Sequence, residues 1–191
     1  MGQRVSKPYV SFADYLARER DSDVKHEWFD GAIYAMSRGT PEHARLGARV
    51  GRVLGNALPS DCEVYSGDLM IYISAVKLST YADASVVCGP LETIAVKKDG
   101  KSLGEGVTNP IVVIEVLSES TERYDREEKF AYYRRLTSLR EYVLVSQDES
   151  CVEVYRRPDN GSSHWECEVG RPGETVTIHG ASIAVSAIYG P

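Results

Sequence analysis

The sequence predicts a single domain of the mixed α/β (α+β) class, in which helices flank a mixed central β-sheet. The length of 191 residues suits one domain. The β-branched run at 111–117 is typical of a strand buried on both faces, and the run at 141–145 indicates another buried strand. No glycine-rich phosphate loop follows any predicted strand, which excludes a doubly wound dinucleotide-binding fold.

The N-terminal part predicts a helix followed by a hairpin. Ser11 is a good N-cap for a short amphipathic helix over 11–20. Strand-like runs at 25–29 and 32–36 then flank Asp30-Gly31, a pair suited to a turn that needs positive φ.

A second helix begins at Thr40-Pro41, where threonine caps and proline fits the first turn. Apolar residues recur after it at helical spacing. Gly47, Gly51 and Gly55 fall every fourth residue on one face. Because glycine lowers helix propensity, we expect this face to pack closely against another element.

The remaining elements follow from hydrophobic runs and turn residues. The pattern predicts strands at 62–66, 69–74, 81–88, 111–117 and 141–145, an irregular insertion at 90–109, a helix over 118–136, and an antiparallel tail of strands at 151–156, 163–169 and 175–179 with a turn at Asp159-Asn160-Gly161.

Composition excludes several classes of protein. Hydrophobic residues make up 42% and charged residues 26%, which excludes wholesale disorder. The net charge of −6 disfavours non-specific nucleic-acid binding, so a DNA-binding role requires a local basic patch.

The longest apolar stretch, Pro110–Leu117, is far shorter than the roughly 20 residues of a spanning helix. Since the N-terminus lacks the apolar core of a signal peptide, we expect no membrane association and a cytoplasmic location.

The four cysteines, Cys62, Cys88, Cys151 and Cys167, do not form a recognisable motif. No two lie at C-x-x-C spacing, and no histidine is placed to complete a zinc knuckle. We therefore expect buried free thiols, and we expect His26, His164 and His179 to be surface or cap residues.

Glu115 and Asp83 are the strongest candidates for chemistry. Glu115 interrupts an aliphatic strand, where a charge is costly unless it is paired or bound to metal. Pairing with an arginine is the alternative. Asp83 begins an apolar strand, where a turn or cap role is the commoner explanation. Two carboxylates on neighbouring strands would form a natural site for Mg²⁺.

Lys129 is the third candidate. It lies in the helix predicted after the Glu115 strand. If that helix packs back on the strand, the ammonium reaches the two carboxylates and stabilises charge on a phosphorus centre. An exposed i,i+4 pair with Asp125 is the alternative.

From Ser11 onward the chain resembles the Uma-type restriction endonuclease family, which belongs to the PD-(D/E)XK nuclease superfamily. The run 109–141 is the most specific part of the resemblance. The residues that carry it are Tyr81-Ala82-Asp83, Thr108 to Ser118, Ser120-Thr121, Tyr124-Asp125-Arg126, Lys129-Phe130, Tyr133-Arg134 and Ser138 to Tyr142, with Glu27, Asp30-Gly31, Met36 and His43 upstream and Val152 to Arg156 and Trp165 downstream.

The resemblance implies a restriction-endonuclease-like core with a divalent-metal site for Mg²⁺ (or Mn²⁺). Asp83 and Glu115 would be the ligands, and the Val116 carbonyl is a further candidate. The superfamily lysine lies two residues after the acidic residue on the same strand, where this chain has Leu117. In this family the lysine is placed on the following helix, which points to Lys129.

The resemblance also gives the organisation of the chain. We expect one nuclease domain over 1–191, with an N-terminal helix and hairpin at 11–40, a catalytic core at 41–146 and a C-terminal antiparallel β extension at 147–191.

Two further residues are secondary candidates. Glu27 lies in the hairpin and would join the metal site or orient a water; a strand-surface carboxylate is the alternative. His43 lies in the first turn of the second helix, where a histidine is more often inert.

DNA contact is assigned to Arg45, Arg49 and Arg52, which form one basic stripe on the second helix. A solvated helix face is the commoner explanation of such a stripe.

The sequence thus favours a metal-dependent endonuclease that hydrolyses DNA phosphodiester bonds. The alternative is a catalytically inactive nuclease-fold scaffold that binds nucleic acid or protein. A homodimer is expected, because an enzyme that cuts two strands gains from two sites.

Overall fold

A computed structural model describes residues 8–37, 39–98, 100–159 and 164–190. The helices are α1 (Phe12–Arg20), α2 (Pro41–Ala57), α3 (Glu122–Tyr124), α4 (Phe130–Tyr133) and α5 (Val185–Tyr189), with a π-helical turn at Asp125–Lys129 between α3 and α4. The strands are β1 (His26–Phe29), β2 (Ala32–Ala35), β3 (Cys62–Ser66), β4 (Met70–Ile73), β5 (Leu78–Tyr81), β6 (Ala84–Cys88), β7 (Thr93–Lys98), β8 (Lys101–Val107), β9 (Val112–Val116), β10 (Glu141–Val145), β11 (Val152–Arg156), β12 (Glu166–Gly170), β13 (Thr175–Ile178) and β14 (Ala181–Ala184).

The strands form two six-stranded sheets and one hairpin. The N-terminal sheet has the order β2-β1-β5-β4-β8-β7, and the central sheet has the order β12-β11-β10-β9-β6-β3. In the central sheet β9 and β10 are parallel, whereas β6 pairs with β9 antiparallel. β13 and β14 form the hairpin. The predicted mixed sheet flanked by helices is confirmed.

Strand β9 lies at the centre of the fold, and its five residues are all buried. Val112, Ile114 and Val116 pack in the same apolar cluster as Leu46, Val50 and Leu54 of α2. The opposite face carries Val113 and Leu117, which share a cluster with Tyr133 of α4. Because side chains alternate along a strand, Glu115 points to this second face.

The chain passes from the N-terminal sheet to the central sheet at Ala82 and Asp83. The single strand predicted at 81–88 is therefore wrong, since β5 ends at Tyr81 and β6 begins at Ala84 in the other sheet. The Asp83 N–H donates to the Ile114 carbonyl at 3.1 Å. This step between sheets places Asp83 beside the end of β9.

The predicted irregular insertion at 90–109 is also wrong, because it contains the antiparallel hairpin of β7 and β8. Gly104 and Gly106 lie inside β8 and obscure its strand pattern. Gly106 leaves room for Tyr72, whose Cβ would lie 3.0 Å from an added methyl group. Backbone pairing, which is independent of side-chain type, builds the hairpin.

The helix predicted over 118–136 is shorter and less regular than expected. It begins at Glu122, ends at Tyr133 and contains the π-helical turn. Such turns are frequent at functional sites.

The C-terminal part follows the prediction, with β11 and β12 antiparallel in the central sheet. It adds two unpredicted elements, β14 and α5. The predicted turn at Asp159-Asn160-Gly161 lies mostly outside the described residues. Within the part of the chain that the structure describes, no helix is both long enough and apolar enough to span a bilayer.

The prediction of free thiols is wrong for two of the four cysteines. Cys62 and Cys88 face each other across β3 and β6 and form a disulfide. Cys151 is a buried free cysteine, as expected, whereas the free Cys167 is exposed.

Candidate active site

Glu115 and Lys129 form a buried ion pair on the second face of the central sheet. The Lys129 Nζ lies 2.8 Å from Glu115 Oε1, and the two side chains are 5% and 4% exposed. The Tyr133 hydroxyl donates to the same Glu115 oxygen at 3.0 Å. The partner of Glu115 is thus a lysine and not an arginine.

Lys129 is fixed by three elements of the fold. Its Nζ donates to the Tyr81 carbonyl at 3.0 Å and lies 3.7 Å from Asp125 Oδ1. The pair with Asp125 exists, but it is buried, so the exposed pair considered from the sequence is wrong. Burial opposes the charged form, yet the carboxylates of Glu115, Asp125 and Glu27 together raise the pKa of Lys129.

The Asp83 side chain forms a hydrogen bond with the last residue of strand β9. Its Oδ2 accepts the Val116 N–H at 2.7 Å and lies 3.2 Å from His43 Nε2. The Asp83 side chain is 24% exposed, so it is open to solvent from the cavity. The hydrogen bond with Asp83 raises the pKa of His43, although burial lowers it.

Glu27 is buried, with 9% exposure, and is not a strand-surface carboxylate. Its Oε1 accepts the Thr80 hydroxyl, and its Oε2 accepts the Tyr124 hydroxyl at 2.9 Å. Both hydroxyls hold the carboxylate in place within the N-terminal sheet.

One cavity of about 520 Å³ gathers these groups, and Glu27, His43, Asp83, Glu115, Val116, Asp125 and Lys129 line it. The structure therefore brings together the carboxylates, the lysine and the histidine that were predicted from the sequence. The Arg45, Arg49 and Arg52 stripe does not line this cavity.

The cavity holds more acidic than basic side chains. Five carboxyl groups line it, from Asp23, Glu27, Asp83, Glu115 and Asp125, against two lysines, Lys25 and Lys129, and one histidine. Burial raises the pKa of Glu115 well above its ordinary value; the charge of Lys129 opposes this, and the charges of Asp125 and Asp83 reinforce it. Burial likewise raises the pKa of Asp125. A further cation in the cavity would offset this repulsion.

The donor set fits a hard divalent cation. The Asp83 and Glu115 carboxylates and the Val116 backbone offer oxygen atoms, which Mg²⁺ and Mn²⁺ prefer. The Val116 backbone also hydrogen-bonds with His43, which contributes to the raised pKa of the histidine.

A groove of about 430 Å³ adjoins the cavity, and His43, Gly67 and Asp83 line both. Gly47 and Gly51 of α2 line the groove, and a methyl group built on either would meet no atom within 4 Å. The close packing expected for this glycine face is therefore wrong. The small residues leave an open channel between α2 and β3.

The three arginines of α2 have different surroundings. Arg52 lines the groove. Arg45 pairs with Glu42 and donates to the Tyr189 carbonyl at 3.0 Å, and Arg49 donates to the Ile188 carbonyl at 3.4 Å. Arg45 and Arg49 are thus turned towards α5, and their contact with DNA stays a prediction.

Three residues of the site were not predicted from the sequence: Asp125, Tyr133 and Tyr124. Asp125 and Tyr133 lie four residues before and after Lys129, so helical spacing alone would have placed them on its face. Tyr124 gave no such signal, because its contact with Glu27 spans 97 residues.

Comparison with known proteins gives a consistent result. A family model described as "Uma2: Putative restriction endonuclease" matches residues 12–186. The uncharacterized protein slr1290 of Synechocystis sp. is 36% identical over 185 residues, which is 95% of this chain and 92% of the relative. The uncharacterized protein sll1609 of the same organism is 29% identical over 157 residues, covering 82% of this chain and 84% of that protein.

A solved structure shares the fold. The crystal structure of a "putative nuclease belonging to DUF820" from Anabaena variabilis superposes with a TM-score of 0.66 at 18% identity, covering 88% of this chain and 91% of that one.

Proposed function

The chain belongs to the Uma2 family, and on that premise we propose that it is a divalent-metal-dependent endonuclease that hydrolyses DNA phosphodiester bonds. The observation that carries the proposal is the excess of carboxyl groups in one cavity beside a buried lysine. The shared fold of the solved nuclease-like structure supports it. Pairing of two chains, one for each DNA strand, belongs to the same proposal.

The site residues divide into ligands and groups that position charge. Asp83, Glu115 and the Val116 carbonyl would hold Mg²⁺ or Mn²⁺. When bound, the cation supplies Lewis acidity that neutralises phosphate charge and lowers the pKa of a coordinated water. Lys129 keeps its proton because three carboxylates surround it, so it offers a fixed positive charge to a phosphate oxygen.

Glu27 and His43 lie on two sides of the cavity. Glu27, held by Thr80 and Tyr124, accepts a hydrogen bond and so orients a water towards the phosphorus. His43, held against Asp83, fixes the orientation of that carboxylate. Arg52 on the adjoining groove supplies a phosphate contact beyond the scissile bond.

Cleavage of linear duplex DNA with Mg²⁺ or with a chelator tests the proposal. We expect cleavage by the wild-type chain with metal, and a loss of at least about a hundredfold in rate in Asp83→Asn and in Lys129→Met. Glu149→Gln and Lys77→Met are matched controls, since both residues are in exposed ion pairs outside the cavity. Cleavage that persists in Asp83→Asn and Lys129→Met, or that is indifferent to the chelator, would contradict the proposal.

The inactive scaffold is the second outcome of the same experiment. The observation that favours it is that Glu115 is already paired with Lys129 and Tyr133. If the folded wild-type chain binds DNA but does not cleave it in the presence of Mg²⁺ or Mn²⁺, the protein is an inactive scaffold and not an enzyme.

A further inference from the structure

Two cysteines and a histidine meet at the end of the central sheet opposite the candidate active site. Cys62 is the first residue of β3 and Cys88 is the last residue of β6, and the two are direct partners in the ladder. His179 Nε2 lies 3.6 Å from Cys88 Sγ, although the two residues are 91 positions apart. The ligand atoms of all three residues lie within 4.8 Å of one another.

The histidine is held by the structure. It forms the turn of the β13–β14 hairpin with Gly180, and both residues have positive φ. The His179 N–H donates at 2.7 Å to the buried Glu141, which also accepts from Arg156 at 2.7 Å. The imidazole therefore reaches Cys88 from a fixed turn.

We propose that the reduced Cys62 and Cys88, together with His179, form a binding site for a thiophilic divalent cation such as Zn²⁺. Thiolate and imidazole are the ligands that zinc takes in proteins. With zinc–sulfur and zinc–nitrogen bonds of about 2.3 and 2.0 Å, tetrahedral geometry separates the two donors by about 3.5 Å. The distance between Cys88 Sγ and His179 Nε2 already matches that separation.

The fourth position has a local candidate. The carboxylate of the exposed Asp61 has Oδ1 4.0 Å from Cys62 Sγ. A water is the other ligand available there, because all three residues of the cluster are only half-buried and accessible.

The disulfide and the metal site are alternative states of the same pair. A dithiol reductant transfers two electrons and two protons to the disulfide, gives two protein thiols and itself becomes a cyclic disulfide. Binding of Zn²⁺ then releases the two thiol protons and forms two sulfur–metal bonds. The site is thus open to metal only after reduction.

The site is separate from the carboxylate cavity. Cys88 lies five residues after Asp83 along β6, which corresponds to about 16 Å of extended strand. This inference therefore stands whether or not the chain cleaves DNA.

Titration of the reduced full-length protein with Co²⁺, followed by displacement with Zn²⁺, tests the proposal. We expect one Co²⁺ per chain with the near-ultraviolet charge-transfer absorption of a thiolate ligand, and none for the disulfide form. The dithiol reductant is removed before the titration, because its thiolates would give the same band, whereas cobalt held by oxygen ligands in the carboxylate cavity would not. A reduced protein without the band would overturn the proposal.

Three variants assign the ligands. Cys62→Ser/Cys88→Ser should lose the band, and the matched Cys167→Ser, which changes an exposed free cysteine, should keep it. His179→Asn keeps both thiols and tolerates positive φ, and it should weaken Co²⁺ binding by at least about tenfold. A band that survives in the double variant, or an unchanged affinity in His179→Asn, would overturn the site.

Discussion

The Lys129 ammonium and the Glu115 carboxylate form an ion pair from which water is almost completely excluded. A buried pair of this kind contributes little net stability, but removal of one partner leaves the other uncompensated. The consequences for pH, metal binding and folding can be measured separately.

Removal of the lysine should destabilise the protein in a pH-dependent way. We expect Lys129→Met to lower the free energy of unfolding by about 3–5 kcal/mol at pH 8. The loss should be smaller at pH 5, because burial raises the pKa of Glu115 and the variant then folds with this carboxyl neutral. In the variant, Glu115 binds a proton more tightly in the folded state than in the unfolded state, so the free energy of unfolding of the variant falls as pH rises.

Urea unfolding at the two pH values measures this effect, with Lys77→Met as the exposed control. An equal loss at both pH values would show that Glu115 does not take up a proton when the lysine is absent.

A divalent cation should stabilise the folded chain. At 100 times its dissociation constant, Mg²⁺ or Mn²⁺ should raise the melting temperature by about 5–10 °C. The shift should be larger at pH 8 than at pH 6, because the raised pKa values of Glu115 and Asp125 make protons compete with the metal. Asp83→Asn should reduce the shift, and Glu149→Gln should not.

His43 should make stability depend on pH in the neutral range. The hydrogen bond to Asp83 raises the pKa of His43 in the folded state, so its contribution is complete below the unfolded pKa of 6.5 and is lost as pH rises through the folded value. His43→Gln should therefore cost about 1–2 kcal/mol more at pH 6 than at pH 9.

The control for His43→Gln is Glu149→Gln, which changes an exposed ion pair outside the cavity. A cost for His43→Gln that is the same at pH 6 and pH 9 would contradict the ion pair with Asp83.

The glycines of α2 allow the groove to be tested without disturbing the core. Gly51→Ala should stabilise the helix by about 0.5–1 kcal/mol, because the methyl group meets no neighbour. Gly51→Leu should fill the groove and slow DNA cleavage. Gly55→Leu, on the same helix face but outside the groove, should leave cleavage unchanged. Equal rates of DNA cleavage in the two leucine variants would show that the groove does not take part in substrate binding.

Local patterns were sufficient to predict α1, the first hairpin and α2. Their signals are short-range: Ser11 and Thr40 accept hydrogen bonds as N-caps, and Asp30 and Gly31 have positive φ. The two buried strands were equally clear, because aliphatic runs need no partner to be recognised.

Long-range features were not predictable in the same way. The break between β5 and β6 depends on the pairing of Asp83 with Ile114, and the disulfide depends on the register of β3 against β6. The contact of His179 with Cys88 needs a hairpin turn from a distant part of the chain. None of these contacts produces a residue spacing that could be recognised in the sequence.

The crossing of the chain at Asp83 has a consequence for how the cavity is assembled. Glu27 and the Tyr81 carbonyl belong to one sheet, and Glu115 belongs to the other. The constellation is therefore a product of tertiary docking and not of either layer alone. Partial melting of the N-terminal layer alone would therefore dismantle the constellation.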